Sequence, residues 1–282
     1  MILNYFSPAH IITAVTALLL VLILYFIFKK KSYKAQRALV LVLVLANLFQ
    51  HLFKLEIYPM YGGGFGILCT AYNMCALLII LSPLAYFTRF KLLRDFVYYI
   101  GSSAGLVAIL IPYWNIGDSI FTWEFFRFFF CHALLFASSV LPLLFGHHKP
   151  SWRRFLLLGI SFFLGILLIL TNDAVFFAID LGSTDFKVIY EKLAVANPIW
   201  AFGPPEEFSF VVRIASRLSP SFLFESKAGN LVPVLWYLIP FYFGISIVAL
   251  AVFALSDRAR FVSDMKAVRT KILSTFKRKK GD

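Results

Sequence analysis

Residues 125–145 read FFRFFFCHALLFASSVLPLLF, an apolar run interrupted near its start by Arg127 and His132. A helix of that length crosses about 30 Å of hydrocarbon at about 1.5 Å per residue. Placing an ionisable side chain inside it costs roughly 2.5 kcal/mol or more on insertion scales, so such a residue is a functional candidate by default. The stretch therefore predicts a membrane span and a site within it.

The composition extends that reading to the whole chain. A mean hydropathy of +0.83, with 61% hydrophobic and only 15% charged residues, excludes a soluble domain, whose apolar share lies near one half. The expected fold is all-α, a polytopic transmembrane helix bundle. Thirty-three Phe and 13 Tyr suit lipid-facing and interfacial positions. The net charge of +13 is distributed as membrane topology requires, with no pattern for nucleic acid. Cys69, Cys75 and Cys131 all lie in apolar segments, which is not a secreted disulfide framework. The first apolar run lacks a preceding basic region and reads as a retained helix, not a signal peptide.

Seven segments approach spanning length: 9–28, 35–53, 65–87, 96–113, 125–145, 155–171 and 231–255. Lys29, Lys30, Lys31, Lys34 and Arg37 follow the first, Arg89, Lys91 and Arg94 the third, and Lys149, Arg153 and Arg154 the fifth. Alternate connections are poor in basic residues, and Lys54 stands alone before the GGGFG turn. The positive-inside rule then places the N-terminus outside and the C-terminus in the cytoplasm, in a multi-pass protein of the cell membrane.

Residues 1–255 form the expected bundle, with a long outer loop at about 172–230 and a basic amphipathic tail at 256–282. Within the loop, Phe208, Val211, Val212, Ala215 and Leu218 recur at helical spacing and predict an interfacial helix. In the tail, Phe261, Met265, Val268, Ile272 and Phe276 mark one face and Lys266, Arg269, Lys271 and the final KRKK another. Membrane lipids are the expected partners, with anionic head groups under the tail at about 1 kcal/mol per basic residue.

Entering from outside near Phe65, the third segment carries Cys75 about 15 Å inward, and the fifth carries His132 about 10 Å inward. Asn47, Gln50, His51, Asn73, Arg127, Cys131, Asn172 and Asp173 share that half. Polar groups in hydrocarbon need partners, which predicts an outward-opening cavity among the second, third, fifth and sixth spans. Each has a plain reading: Cys as small packing residue, His132 bonded to a backbone or Asn, Arg127 reaching back to the interface, and His10, His51, His147 and His148 as interfacial residues. No spacing supports a metal site, and no cofactor motif is present.

Paired, Cys75 and His132 would form an acyl-transfer nucleophile and its base. Asn47, Asn73 or Asn172 could orient the imidazole. Helical phase puts Cys75 and Cys69 on different faces, so only one of them meets His132.

The stretch YNMCALLIILSPLAYFTRFKLLRDFVYYIGSSAGLVAIL, then FFFCHALLFASSVLPLL and the Asn172 region, resembles the YwaF-like bacterial integral membrane proteins. These are related to eukaryotic membrane cysteine-dependent phospholipid acyltransferases. The resemblance spans roughly Asn73 to Asp173 and implies acyl transfer between phospholipids, with Cys75 as nucleophile and His132 as base. Asn73 stands where many members of that family place a His. The expected function is thus a phospholipid acyltransferase or lipid hydrolase. The alternatives are a non-enzymatic transporter or lipid-binding protein that uses Arg127 and His132 as ligand contacts, and a structural membrane partner.

Overall fold

Ser7, Ser32, Asn73 and Thr122 each precede an apolar run, and each side chain accepts the backbone N–H three residues ahead. These N-caps satisfy donors that a helix start leaves unpaired. The structure, a computed structural model, describes residues 2–57 and 66–278; the side chains at 114, 207 and 272–278 lie outside it. The caps open α1 (Pro8–Phe28), α2 (Tyr33–Leu52), α3 (Met74–Phe87) and, after α4 (Lys91–Leu110), α5 (Trp123–Leu144). Then come α6 (Phe155–Leu181), α7 (Phe186–Ala196), α8 (Ser209–Leu218), α9 (Leu235–Ser256) and α10 (Arg258–Arg278).

The described chain is a polytopic helical bundle, and six of its helices are long and apolar enough to cross a membrane. The third expected span is shorter. α3 has 14 residues, because Asn73 caps it and the backbone before it is irregular. The expected start at Phe65 and the GGG turn lie outside the described residues. The sixth span runs ten residues past its expected end at Thr171, since nothing stops it before Gly182, whose φ of 59° closes the helix in the left-handed region. The last begins at Leu235, not 231, after Pro233 and a positive-φ Val234.

α5 is the central helix, packed against α1, α2, α3 and α4. Its closest neighbour is α4, where a Cβ at Gly105 would lie 2.8 Å from the Phe136 backbone nitrogen and 3.0 Å from the His132 carbonyl oxygen. Only glycine permits this backbone-to-backbone approach, the small-residue packing on which membrane helices rely. A π-helical turn at Phe96–Ile100 in α4 buries all five of its residues beside α3 and α5. α9 covers α6, with Tyr242 filling the space above Gly159.

The basic connections gather at one end. Asp95 of α4, 1% exposed, accepts from Arg154 Nε at 2.5 Å and pairs with His148 Nε2 at 2.6 Å. His147 bonds the Gln36 side chain at 2.9 Å, and Arg37 donates to the Tyr86 hydroxyl at 3.2 Å with its guanidinium over that ring. His148 is therefore a buried clamp, not the interfacial residue expected. His10 is also buried, its Nε2 3.2 Å from the Ile109 carbonyl oxygen. At the same end Asp264 of α10 accepts from Trp152 Nε1 at 3.0 Å and Arg153 Nε at 2.8 Å, while Phe261 meets the Trp152 ring edge-on. Phe261 thus docks the tail instead of facing lipid; Val262, Met265 and Val268 stay exposed.

Gly105→Ala drives a methyl into the α5 backbone and should destabilise the bundle by about 1–3 kcal/mol. Gly244→Ala, where an added Cβ meets nothing within 4 Å, should leave the thermal midpoint in detergent unchanged or slightly raised.

Candidate functional site

The chain reaches α3 through an irregular stretch, a 3₁₀ turn at Ile67–Cys69 followed by extended residues at Thr70 and Asn73. Backbone of this kind survives inside an apolar bundle only if its polar groups are taken up by protein. The Thr70 carbonyl accepts His51 Nε2 at 3.0 Å from α2. Its hydroxyl accepts Asn172 Nδ2 at 2.8 Å from α6 and donates to the Ile67 carbonyl at 2.6 Å. His51 is consequently buried, a correction to its expected interfacial place. This clamp sets α3 to begin within the bundle, with Met74 against Gly165 midway along α6.

Cys75 is the second residue of α3 and half-exposed. It lies in the first helical turn, not about 15 Å along a longer helix. Across from it, α5 presents His132, within electrostatic reach of the Cys75 thiol and in hydrogen-bond contact with that of Cys131. His132 Nδ1 is 2.7 Å from the Phe128 carbonyl oxygen one turn back. A carbonyl can only accept, so Nδ1 carries the proton and Nε2 is the basic nitrogen. Cys131 Sγ lies 3.2 Å from the same carbonyl oxygen and 3.4 Å from Nδ1, and is buried. Cys69 is buried in the 3₁₀ turn. Of the two cysteines with opposed helical phase, Cys75 is the one beside His132.

The expected orienting residues take other parts. Asn73 Oδ1 caps α3 by accepting from Ala76 N at 2.9 Å. Asn47 accepts from Gln50 Nε2 at 3.0 Å within α2. Asn172 divides its amide between Thr70 and Asp173 Oδ1, the latter at 3.0 Å. Among the described residues it is the Phe128 carbonyl, not one of these amides, that orients the imidazole. Arg127 is paired with Glu124 in the first turns of α5, through Nε at 3.0 Å and a second bond from Nη2.

Lys54, the lone basic residue of its connection, is a site residue that the sequence marks only by that isolation. It opens a single helical turn, Lys54–Ile57, and is 2% exposed. Its Nζ lies 3.5 Å from the Tyr72 hydroxyl and 4.5 Å from that ring's centroid. The Tyr72 ring is in turn parallel to His51. Burial, and after it the positive charge of Arg127, push the Lys54 ammonium down to about 8, against the weaker pull of Cys69, Cys131 and Glu124.

Helices α2, α3, α5 and α6 and an irregular strap thus gather Cys69, Cys75, Cys131, His51, His132, Lys54 and Arg127 at the end of the bundle opposite the basic clamp. Among the described residues no three His, Cys, Asp or Glu side chains converge as a metal site. An apolar cavity of about 420 Å³ opens elsewhere, between α4, α8 and α9 at Tyr99, Ile214 and Phe241. A family model described as the TMEM164 family matches residues 5–214. Neither a curated protein nor a solved structure matches the chain.

The Lys54 shift carries a sign. Between about pH 8 and pH 10.5 the folded chain has lost this proton and the unfolded chain holds it, so unfolding takes up a proton and stability rises with pH. Below about 8 both states are charged and the full penalty of burial persists. Lys54→Met should therefore melt above wild type at neutral pH, with the difference shrinking across that window in thermal unfolding scans.

Proposed function

The chain belongs to the TMEM164 family of membrane proteins, and from that premise we propose that it transfers acyl groups of phospholipids, with Cys75 as nucleophile and His132 as base. What supports the reading is a partly exposed Cys75 at the start of α3, within electrostatic reach of an imidazole whose Nδ1 is held by the Phe128 carbonyl. A serviceable nucleophile–base pair requires that much geometry before any question of acidity. The resemblance to YwaF-like proteins and the cysteine-dependent acyltransferases supports the same two residues.

His132 Nε2 takes the Cys75 proton as sulfur attacks the ester carbonyl of a phospholipid. The C=O electron pair moves onto oxygen to give a tetrahedral intermediate. Met74 and Cys75 lead α3, where backbone N–H groups lack intrahelical acceptors by position and face developing negative charge. Collapse of the intermediate breaks the ester C–O bond, and the imidazolium returns its proton to the departing lysophospholipid alkoxide. The acyl group is left as a thioester on Cys75. In the second half an acceptor hydroxyl, from another lysolipid or from water, gives its proton to Nε2 and attacks the thioester, whose C–S bond then breaks as the imidazolium returns that proton to the Cys75 sulfur. The first acceptor makes the protein a transferase, the second a hydrolase. The N-terminal end of the chain is assigned outside a bacterial plasma membrane, and α10, with its Lys and Arg, rests on anionic lipid at the cytoplasmic face.

Single-turnover labelling with a phospholipid radiolabelled in its acyl chain tests the reading. Wild type should hold a hydroxylamine-sensitive adduct, Cys75→Ser none, and His132→Ala should form it at least about 10²-fold more slowly. Cys131→Ser should still be labelled. No adduct on folded wild type across a broad lipid panel would leave a transporter or lipid-binding protein.

A further inference from the structure

Lys54 is 2% exposed, and among the described residues no carboxylate stands in ion-pair contact with it. The acid whose field reaches it, Glu124, is committed to Arg127. Among the described residues the hydrogen-bonding neighbour of Lys54 is the Tyr72 oxygen, at the long distance of 3.5 Å, and the centroid of the same ring lies 4.5 Å from Nζ. An unpaired buried ammonium is among the costlier arrangements a fold can hold, and one that persists points to a partner supplied from outside. The Tyr72 oxygen accepts from Lys54, which leaves its O–H to donate away from the lysine. Tyr72 is itself partly exposed and only three residues before Cys75. An anion arriving over Tyr72 meets that hydroxyl and then the flexible lysine stem behind it, with the Arg127 charge nearby.

We propose that Lys54 and the Tyr72 hydroxyl form a seat for a phosphate oxyanion, carried by a phospholipid whose acyl ester is thereby brought to Cys75. The seat rests on the acyl-transfer reading only for what the lipid is held to do. Lysine suits the task as a mobile point charge with three donors, and the phenol adds one fixed donor. Diacylglycerol, which carries the same esters without the phosphate, lacks the group this seat recognises.

The test separates binding from chemistry by using Cys75→Ser protein in neutral detergent, which cannot form the thioester. Its thermal midpoint is followed against dioleoylphosphatidylglycerol, dioleoylglycerol and inorganic phosphate, with and without Lys54→Met or Lys54→Arg. Removal of the buried charge keeps Lys54→Met folded. The phospholipid should raise the midpoint of Cys75→Ser, with apparent affinity roughly ten- to hundredfold weaker when Lys54→Met is added and largely kept with Lys54→Arg. Dioleoylglycerol should give no shift. Equal phospholipid affinity with and without Lys54, or equal stabilisation by dioleoylglycerol, would overturn the seat. A full shift from inorganic phosphate would overturn the lipid as its ligand. A Lys54-dependent lipid shift in a protein whose wild type never forms a thioester would sink the acyl-transfer reading and leave the seat standing.

Discussion

Inside hydrocarbon no water is at hand to bond an idle backbone group, and the structure turns on how one stretch meets that constraint. Between Gly66 and Asn73 the chain enters the bundle with a single 3₁₀ turn, Ile67–Cys69, and no α-helical bonds. It survives because His51 takes the Thr70 carbonyl and Asn172 takes the Thr70 hydroxyl. The α2 side chain thereby stands in for a hydrogen bond a helix would have made, and the α6 side chain anchors the same residue through its hydroxyl. The start of α3, and with it Cys75, is fixed by this substitution.

His132 depends on a different constraint, the contact of α4 with α5 through Gly105. A side chain there would collide with the α5 backbone at the level of His132 itself. The imidazole therefore stands on the most closely packed part of the bundle, and its Nδ1 is held by its own helix. Access is left to the other side of the site, where Cys75 and Tyr72 keep some exposure. The opposite end is closed by Asp95, His148 and Arg154, a buried ionic knot in which each charge has its partner. The two ends thus treat buried charge in opposite ways, and the unbalanced one lies beside the thiols.

Much of this was legible in the residues. The long spans follow from apolar length, and α8 from the spacing of Val211, Val212, Ala215 and Leu218. The pairing of Cys75 with His132 is an expectation drawn from residue type, depth and the family resemblance. The extent of α3 was not legible, because an apolar run looks the same whether or not its first turns are helical; Asn73 as a cap was the signal that separated the two. The end of α6 was misplaced because Asn172 and Asp173 look like a polar stop until Thr70 is known to engage Asn172. Lys54 was read only as a marker of topology, since one sequence does not reveal that a lone lysine is buried. Asn47 looked like an orienting amide, but Gln50 one turn away on the same helix had prior claim by proximity.

α6 and α3 also stand in a complementary relation to the thickness of the bilayer. The 27 residues of α6 span about 40 Å, more than the hydrocarbon, whereas the 14 of α3 span about 21 Å, well short of it. Each alone would be a hydrophobic mismatch, met by tilting one helix or thinning the lipid around the other. Here Asn172, near the far end of the long helix, binds the strap that completes the short one. The excess and the deficit are reconciled within the protein, so the lipid beside α3 need not deform to reach the thiol.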